Sequence, residues 1–285
     1  MGHVMDQKII ALFDSFTHGG MNRRTFMDRL TSIAGSAAAA SALLPTLENN
    51  YALADVVSEG DGRIASQTFA FQGGSGYLVR PAKEGKFPGV IVIHENRGLN
   101  PHIRDISRRM AVEGFAALAP DYLNALGGTP DDADKARDMI GTLKPEAILA
   151  TSTAALVALK SSPVCTGNAG AVGFCWGGGA VNALAVADAG LAAGVAYYGM
   201  QPPAADVPKI SAPLLLHYAA LDERIDAGIP AFETALKAAG KTYELHMYEG
   251  VNHAFNNDTN AARYNKEAAD LAWKRTVDFL RKYVV

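Results

Sequence analysis

A short apolar strand pattern, Ala169 to Phe174, runs straight into Cys175-Trp176-Gly177-Gly178-Gly179. Gly173-Phe174-Cys175-Trp176-Gly177 matches a G-x-nucleophile-x-G turn, in which a buried strand bends sharply into a helix. Such a turn forces its central residue into a strained backbone conformation, and only glycines at its flanks let strand and helix approach so closely. The pattern predicts a helix from about Gly177. Cys175 then stands at a helix N-terminus, where the dipole favours a thiolate.

From about Gln67 the chain alternates strand and helix patterns. Thr68–Phe71 and Tyr77–Arg80 predict a hairpin around Gly73-Gly74. Val90-Ile91-Val92-Ile93, ended by His94, is a β-branched run suited to a strand buried on both faces. A helix is expected over about Ile103–Glu113, a strand over Phe115–Ala119, and helices over Asp131–Ile140 and Pro145–Lys160. Strands follow at Ala192–Tyr198 and Leu214–Ala219. Ile229–Ala239, Glu244–Tyr248 and Ala262–Tyr283 complete a helix, strand, helix ending. The alternation predicts an α/β fold, a mostly parallel sheet with helices on both faces, forming one domain over residues 55–285.

A free thiol, with a pKa near 8.5, is mostly protonated at neutral pH and needs a base or a depressed pKa. The expected order along the chain is nucleophile, acid, histidine. Asp222 follows the strand Leu214–Ala219, at a carboxyl end where sites of α/β sheets form. His253 follows the strand Glu244–Tyr248 and precedes the last helix. Asp222 would fix the tautomer of His253 and stabilise its cation. Glu223 is an adjacent rival to Asp222. Of the other histidines, His3 and His18 precede the domain, and His217 and His246 fall mid-strand and read as structural. His94 reads as packing at a strand end, and His102 as the start of a helix.

Composition narrows the classes. At 285 residues, 49% hydrophobic and 19% charged, the chain is long enough for one large core. A net charge of −3 with interspersed signs offers no surface for nucleic acid or for stable membrane insertion. There is no internal repeat, no phosphate-binding glycine loop of the Walker type and no zinc-type Cys/His spacing, so no cofactor or metal is implied. The two cysteines, Cys165 and Cys175, are too few for a disulfide framework. The nine residues between them run mostly along one strand, which holds them too far apart to bridge.

Residues 1–54 read as an N-terminal extension outside the fold. Arg23-Arg24-Thr25-Phe26-Met27, an apolar stretch from Ile33 to Leu44, and Ala52-Leu53-Ala54 resemble a twin-arginine export signal cleaved before Asp55. The apolar run is too short for an ordinary membrane span. This reading implies the twin-arginine machinery as a partner and an exported or periplasmic location; without a working signal the location is the cytoplasm. Met5 to Phe13 has an amphipathic helical pattern of its own.

Taken together, the residues resemble the dienelactone hydrolase family of the α/β-hydrolase superfamily. The resemblance covers about residues 67–285. It rests on His94-Glu95-Asn96-Arg97-Gly98, Pro120-Asp121-Tyr122, Gly173 to Gly178, Tyr197-Tyr198-Gly199, and the loops of Asp222 and His253. It implies a Cys175-Asp222-His253 triad acting through an acyl-enzyme on a small lactone or activated ester. It also implies that Glu95, just after the third strand, approaches the cysteine and controls its ionisation. The oxyanion hole would use the backbone N–H groups of Trp176 and Asn96. Arg97 and Tyr122 are the candidate substrate-binding side chains. The founding enzymes place an arginine shortly after the histidine to hold a substrate carboxylate; here Phe255-Asn256-Asn257-Asp258 stands there, and Arg97, Arg137 and Arg263 are the nearest alternatives. The rival readings are a general carboxylesterase or thioesterase, a non-catalytic binding protein with the same pocket, and a peptidase.

Overall fold

The computed structural model describes residues 5–285; His3 lies outside them. The catalytic-type turn is built as its glycines require. Strand β5 (Cys165–Phe174) ends one residue before helix α7 (Trp176–Ala187), and Cys175 between them has φ 56° and ψ −116°. A Cβ on Gly173 would stand 2.2 Å from the carbonyl oxygen of Gly177, and one on Gly177 would stand 2.4 Å from that of Ile93. Neither fits, so both positions exclude side chains.

Around this turn lies one eight-stranded sheet. The remaining strands are β1 (Ile64–Phe71), β2 (Gly74–Pro81), β3 (Phe87–Ile93), β4 (Ala116–Pro120), β6 (Gly194–Tyr197), β7 (Leu214–Ala219) and β8 (Tyr243–Tyr248). Their order is β1-β2-β4-β3-β5-β6-β7-β8. The β1-β2 and β2-β4 pairs are antiparallel, and all pairs from β4 to β8 are parallel. Helices α4 (Pro101–Val112), α5 (Ala133–Ile140), α6 (Pro145–Ser161), α7, α8 (Glu223–Asp226), α9 (Ile229–Ala238) and α10 (Lys266–Val284) join the strands. Along β3, Val90 and Val92 feed the apolar cluster on one face, while Ile91 and Ile93 feed that on the other. Burial on both faces is why this run carries no polar alternation.

In the structure the residues before Asp55 are packed against the sheet domain. Helices α1 (Gln7–Thr17), α2 (Arg23–Ala34) and α3 (Ala37–Leu47) form a helical cap with its own core of Ile9, Phe13, Phe16, Phe26, Leu30, Ala40 and Leu47. Polar contacts dock the cap on the sheet domain. Arg23, one of the paired arginines, bonds Asp134 at 2.7 Å; Asn50 N–H donates to the Thr259 carbonyl at 2.7 Å; Asn260 Nδ2 donates to the Leu47 carbonyl at 2.6 Å. The guanidinium groups of Arg137 and Arg263 cover the rings of Phe16 and Phe13. In Ala52-Leu53-Ala54 the first two residues are exposed, while Ala54 is buried and its carbonyl accepts from Arg108 on α4. Of the apolar stretch Ile33 to Leu44, Ala40 belongs to the cap core, Leu43 and Leu44 pack against it, and Ile33 is exposed. No single helix among the described residues is long and apolar enough to cross a membrane.

Because the cap has a core of its own, it should open as a unit. Leu30→Ala, at a fully buried position, should cost the cap about 2–5 kcal/mol. Hydrogen exchange checks this: amides of α1–α3 should exchange faster, with those of β5 and β7 unchanged.

Candidate active site

The carboxyl ends of three parallel strands meet at one point. Cys175 follows β5, Asp222 lies three residues beyond β7, and His253 lies in the loop after β8. All three are buried. His253 Nδ1 lies 2.5 Å from Asp222 Oδ2. An ionised carboxylate only accepts, so Nδ1 carries the hydrogen and Nε2 keeps its lone pair. That Nε2 is buried and has no partner. Asp222 also caps α8 by accepting from the Ile225 N–H, which fixes the carboxylate. Glu223, the rival acid, is exposed on α8.

A fourth side chain joins them from the cap. His18, at the C-terminal end of α1, places Nε2 3.2 Å from Cys175 Sγ. Its Nδ1 lies 2.8 Å from the Asp14 carbonyl oxygen and 3.3 Å from Asp14 Oδ1. Both are acceptors, so here too the hydrogen sits on Nδ1 and the Nε2 lone pair faces the thiol. Burial alone would lower the proton affinity of His18, but Cys175 and the Asp14 carboxylate outweigh it and hold the imidazole above its usual pKa. Asp14, against its own burial, is held well below the usual carboxylate range by His253, His18 and Arg263. Cys175 Sγ and the ligating nitrogens of His18 and His253 lie within 4.8 Å of one another. Two donors on one tetrahedral zinc stand roughly 3.5 Å apart; Nε2 of His18 and the sulfur are closer than that, at hydrogen-bond distance.

The remaining expected residues divide. Glu95 is buried at the end of β3, with Oε2 accepting from Asn257 Nδ2 at 2.8 Å and Oε1 unpartnered. The hydrogen bond of the thiol is to His18. The N–H groups of Trp176 and Asn96 are not engaged by backbone carbonyls. Asn96 additionally uses its side chain, donating to the Thr17 carbonyl at 2.8 Å and so tying the cap to the site. Trp176 stacks on His94 at 5.3 Å, and Tyr122 stands edge-on behind it.

The two side chains expected to bind substrate do not line the cavity at Cys175. Tyr122 is buried with its hydroxyl 2.6 Å from Ser152. Arg97 is drawn to Asp134 and lines a separate polar cleft with Arg23 and Tyr51. His102 lies in the first turn of α4 and faces Asp258, and His217 joins Thr276 and Tyr248. His18 was set aside with the leader, yet it is the side chain that touches the nucleophile position. The amphipathic pattern from Met5 to Phe13 was the one sign that this segment packs.

Cys175 opens onto a cavity of about 970 Å³. Ile140, Ile148, Leu149, Val186 and Met200 give it apolar walls, and Thr17 and His18 of the cap close one side. Tyr198, whose ring lies 4.9 Å from that of His253, has a buried and unpartnered hydroxyl at the same place.

Comparison with known proteins agrees with this architecture. The model of the dienelactone hydrolase family matches residues 75–284. A Methylorubrum extorquens protein, provisionally named a carboxymethylenebutenolidase, is 32% identical over 280 residues, covering 92% of this chain and 95% of that one. A Bradyrhizobium protein, also provisionally named, as a 2-oxo-3-(5-oxofuran-2-ylidene)propanoate lactonase, is 31% identical over 80% of this chain and 92% of its own length. Among solved structures, a Klebsiella pneumoniae protein described provisionally as a dienelactone hydrolase superposes with a TM-score of 0.71 at 28% identity, covering 77% of this chain and 99% of that one. With an eight-stranded α/β-hydrolase sheet and a matching family model over most of its length, the chain belongs to the dienelactone hydrolase family and is a hydrolase.

Proposed function

We propose that this hydrolase cleaves lactones or activated esters through a covalent acyl-enzyme on Cys175, with His253 and Asp222 completing a triad. The observation that carries the reading is the short Asp222–His253 contact, which leaves an unpartnered Nε2 beside a cysteine on a strained turn. The thiol proton passes to an imidazole beside it, sulfur attacks the carbonyl carbon, and the C=O electron pair moves to oxygen. The N–H groups of Trp176 and Asn96 are the available donors for that oxyanion, each worth about 3 kcal/mol in the transition state. The tetrahedral adduct expels the alcohol oxygen, which takes a proton from an imidazolium. His253 then removes a proton from water as the water attacks the thioester, and the acid leaves as the thiolate is regenerated.

Cys175→Ala should lower hydrolysis of aryl esters and small lactones by at least about 1,000-fold, and Asp222→Asn by about 1,000- to 10,000-fold. Steady-state rates on a matched panel check both. Undiminished turnover in Cys175→Ala would remove the assignment.

The apolar cavity walls favour an uncharged acyl group, which also suits a general esterase. One observation favours an anionic lactone instead. Of the two arginines lining the cavity, Arg137 is tied to Asp134 and Asp138, whereas Arg224 has only a 3.7 Å contact with Asp14. The Bradyrhizobium relative is named for a lactone that carries a carboxylate. If Arg224 holds such a group, Arg224→Gln should raise KM about tenfold or more for a carboxylate-bearing lactone and leave its neutral methyl ester unchanged. Equal effects on the two substrates would favour the uncharged class.

A further inference from the structure

We propose that His18, carried on the N-terminal cap, is a catalytic residue that holds Cys175 as a resting thiolate–imidazolium pair, so that the cap is part of the active site. The proposal rests on the reading of Cys175 as the nucleophile. It goes beyond the triad by separating two tasks that a single histidine ordinarily performs.

Four observations converge. The thiol's 3.2 Å hydrogen bond is to Nε2 of His18, while Nε2 of His253 has no partner among the described residues. Glu95, the other group expected to govern the sulfur, spends one oxygen on Asn257. Asp14 holds Nδ1 of His18 through its carbonyl and its carboxylate, the orientation and counter-charge that an imidazolium needs. The cap is anchored beside this contact, by Asn96 to the Thr17 carbonyl and by Gln7 to Asn252, the residue before His253. A role for His18 as the cap of α1 explains its contact with the Asp14 carbonyl. It does not explain why Nε2 meets sulfur 157 residues away.

The step is a simple proton transfer. The S–H bond breaks, its electron pair stays on sulfur, and the proton forms Nε2–H on His18; no co-reactant is needed. The proton held on His18 then passes to the departing alkoxide oxygen; His253, its Nε2 uncommitted, takes the proton of the attacking water, and that proton restores the His18 imidazolium as the thiolate is released. The charged and titratable groups facing His18 are Asp14 on its own helix, Cys175 at the start of α7 and His253 after β8. Arg224 and Arg263 bear on it through Asp14, each at 3.7 Å.

The test is the rate of Cys175 alkylation by iodoacetamide in the full-length protein, followed by mass spectrometry of the Cys175 peptide at pH 6 and pH 9. Taking the ratio of the two rates within each variant cancels differences in access. In His18→Gln the pH 6 to pH 9 ratio should fall about tenfold or more below that of the unaltered protein, because the thiol loses its partner where free thiols are protonated. In His253→Gln the ratio should stay within about threefold while hydrolysis is lost. Asp14→Asn, which keeps the imidazole but removes its counter-charge, should move the ratio in the same direction as His18→Gln, and it serves if that variant does not fold. An unchanged ratio in both His18→Gln and Asp14→Asn, or a loss that falls on His253→Gln instead, overturns the proposal. Retained hydrolysis in Cys175→Ala would overturn the nucleophile reading itself, whatever the alkylation ratios.

Discussion

The close approach of β5 and α7 sets the geometry on which everything else depends. At Gly173 and Gly177 backbone meets backbone with no room for a Cβ. That contact fixes the angle of the turn, and the turn holds Cys175 at a positive φ that a non-glycine residue adopts only under constraint. The strain is sustained by β3 and β6, which flank β5 in the sheet and lock its register. From there the sulfur is projected above the carboxyl ends of the strands, where the loops of Asp222 and His253 also arrive. The parallel sheet does not merely support the site. It is the reason three residues far apart in sequence share one point.

Hydrogen-bond accounting then distributes the roles. Imidazole has two nitrogens and, when neutral, one hydrogen. An acceptor beside Nδ1 therefore decides what Nε2 offers. Asp222 does this for His253 and Asp14 for His18. The two acids differ in setting: Asp222 is fixed by the helix it caps, whereas Asp14 belongs to the cap and leans on Arg224 and Arg263 of the domain. One imidazole is thus oriented by the sheet and the other by a separately folded unit.

The sheet was legible because its signals are local. Val90 to Ile93 carry burial on both faces in their composition, and Leu214–Ala219 matches its strand residue for residue. Where the strand pattern is interrupted, the reading fell short. β5 extends back to Cys165 through Thr166-Gly167-Asn168, exposed residues that resemble a turn and fall in the register shift between Cys165, opposite Phe87, and Ala169, opposite Gly89. Cys175, Asp222 and His253 were legible from chain order and strand ends, and Asp222 over Glu223 needed only the direction of two adjacent side chains. Sequence does not reveal the neighbours that claim the polar ends of Arg97 and Tyr122, Asp134 and Ser152. His18 was passed over for a different reason: it precedes the paired arginines, and its approach to Cys175 is a tertiary contact between residues 157 apart.

The cap joins β1 through residues 48–63, so a cap that lifts off its seat remains tethered to the domain. Short tethers hold their ends at effective concentrations of order millimolar, and redocking is intramolecular. Loosening the docking contacts of Arg23 or Asn260 would then change how often the cavity is uncovered, without letting the imidazole of His18 diffuse away. Cutting the chain within 48–63 has a different outcome: the same contacts become a bimolecular association, and coverage of the cavity becomes dependent on protein concentration.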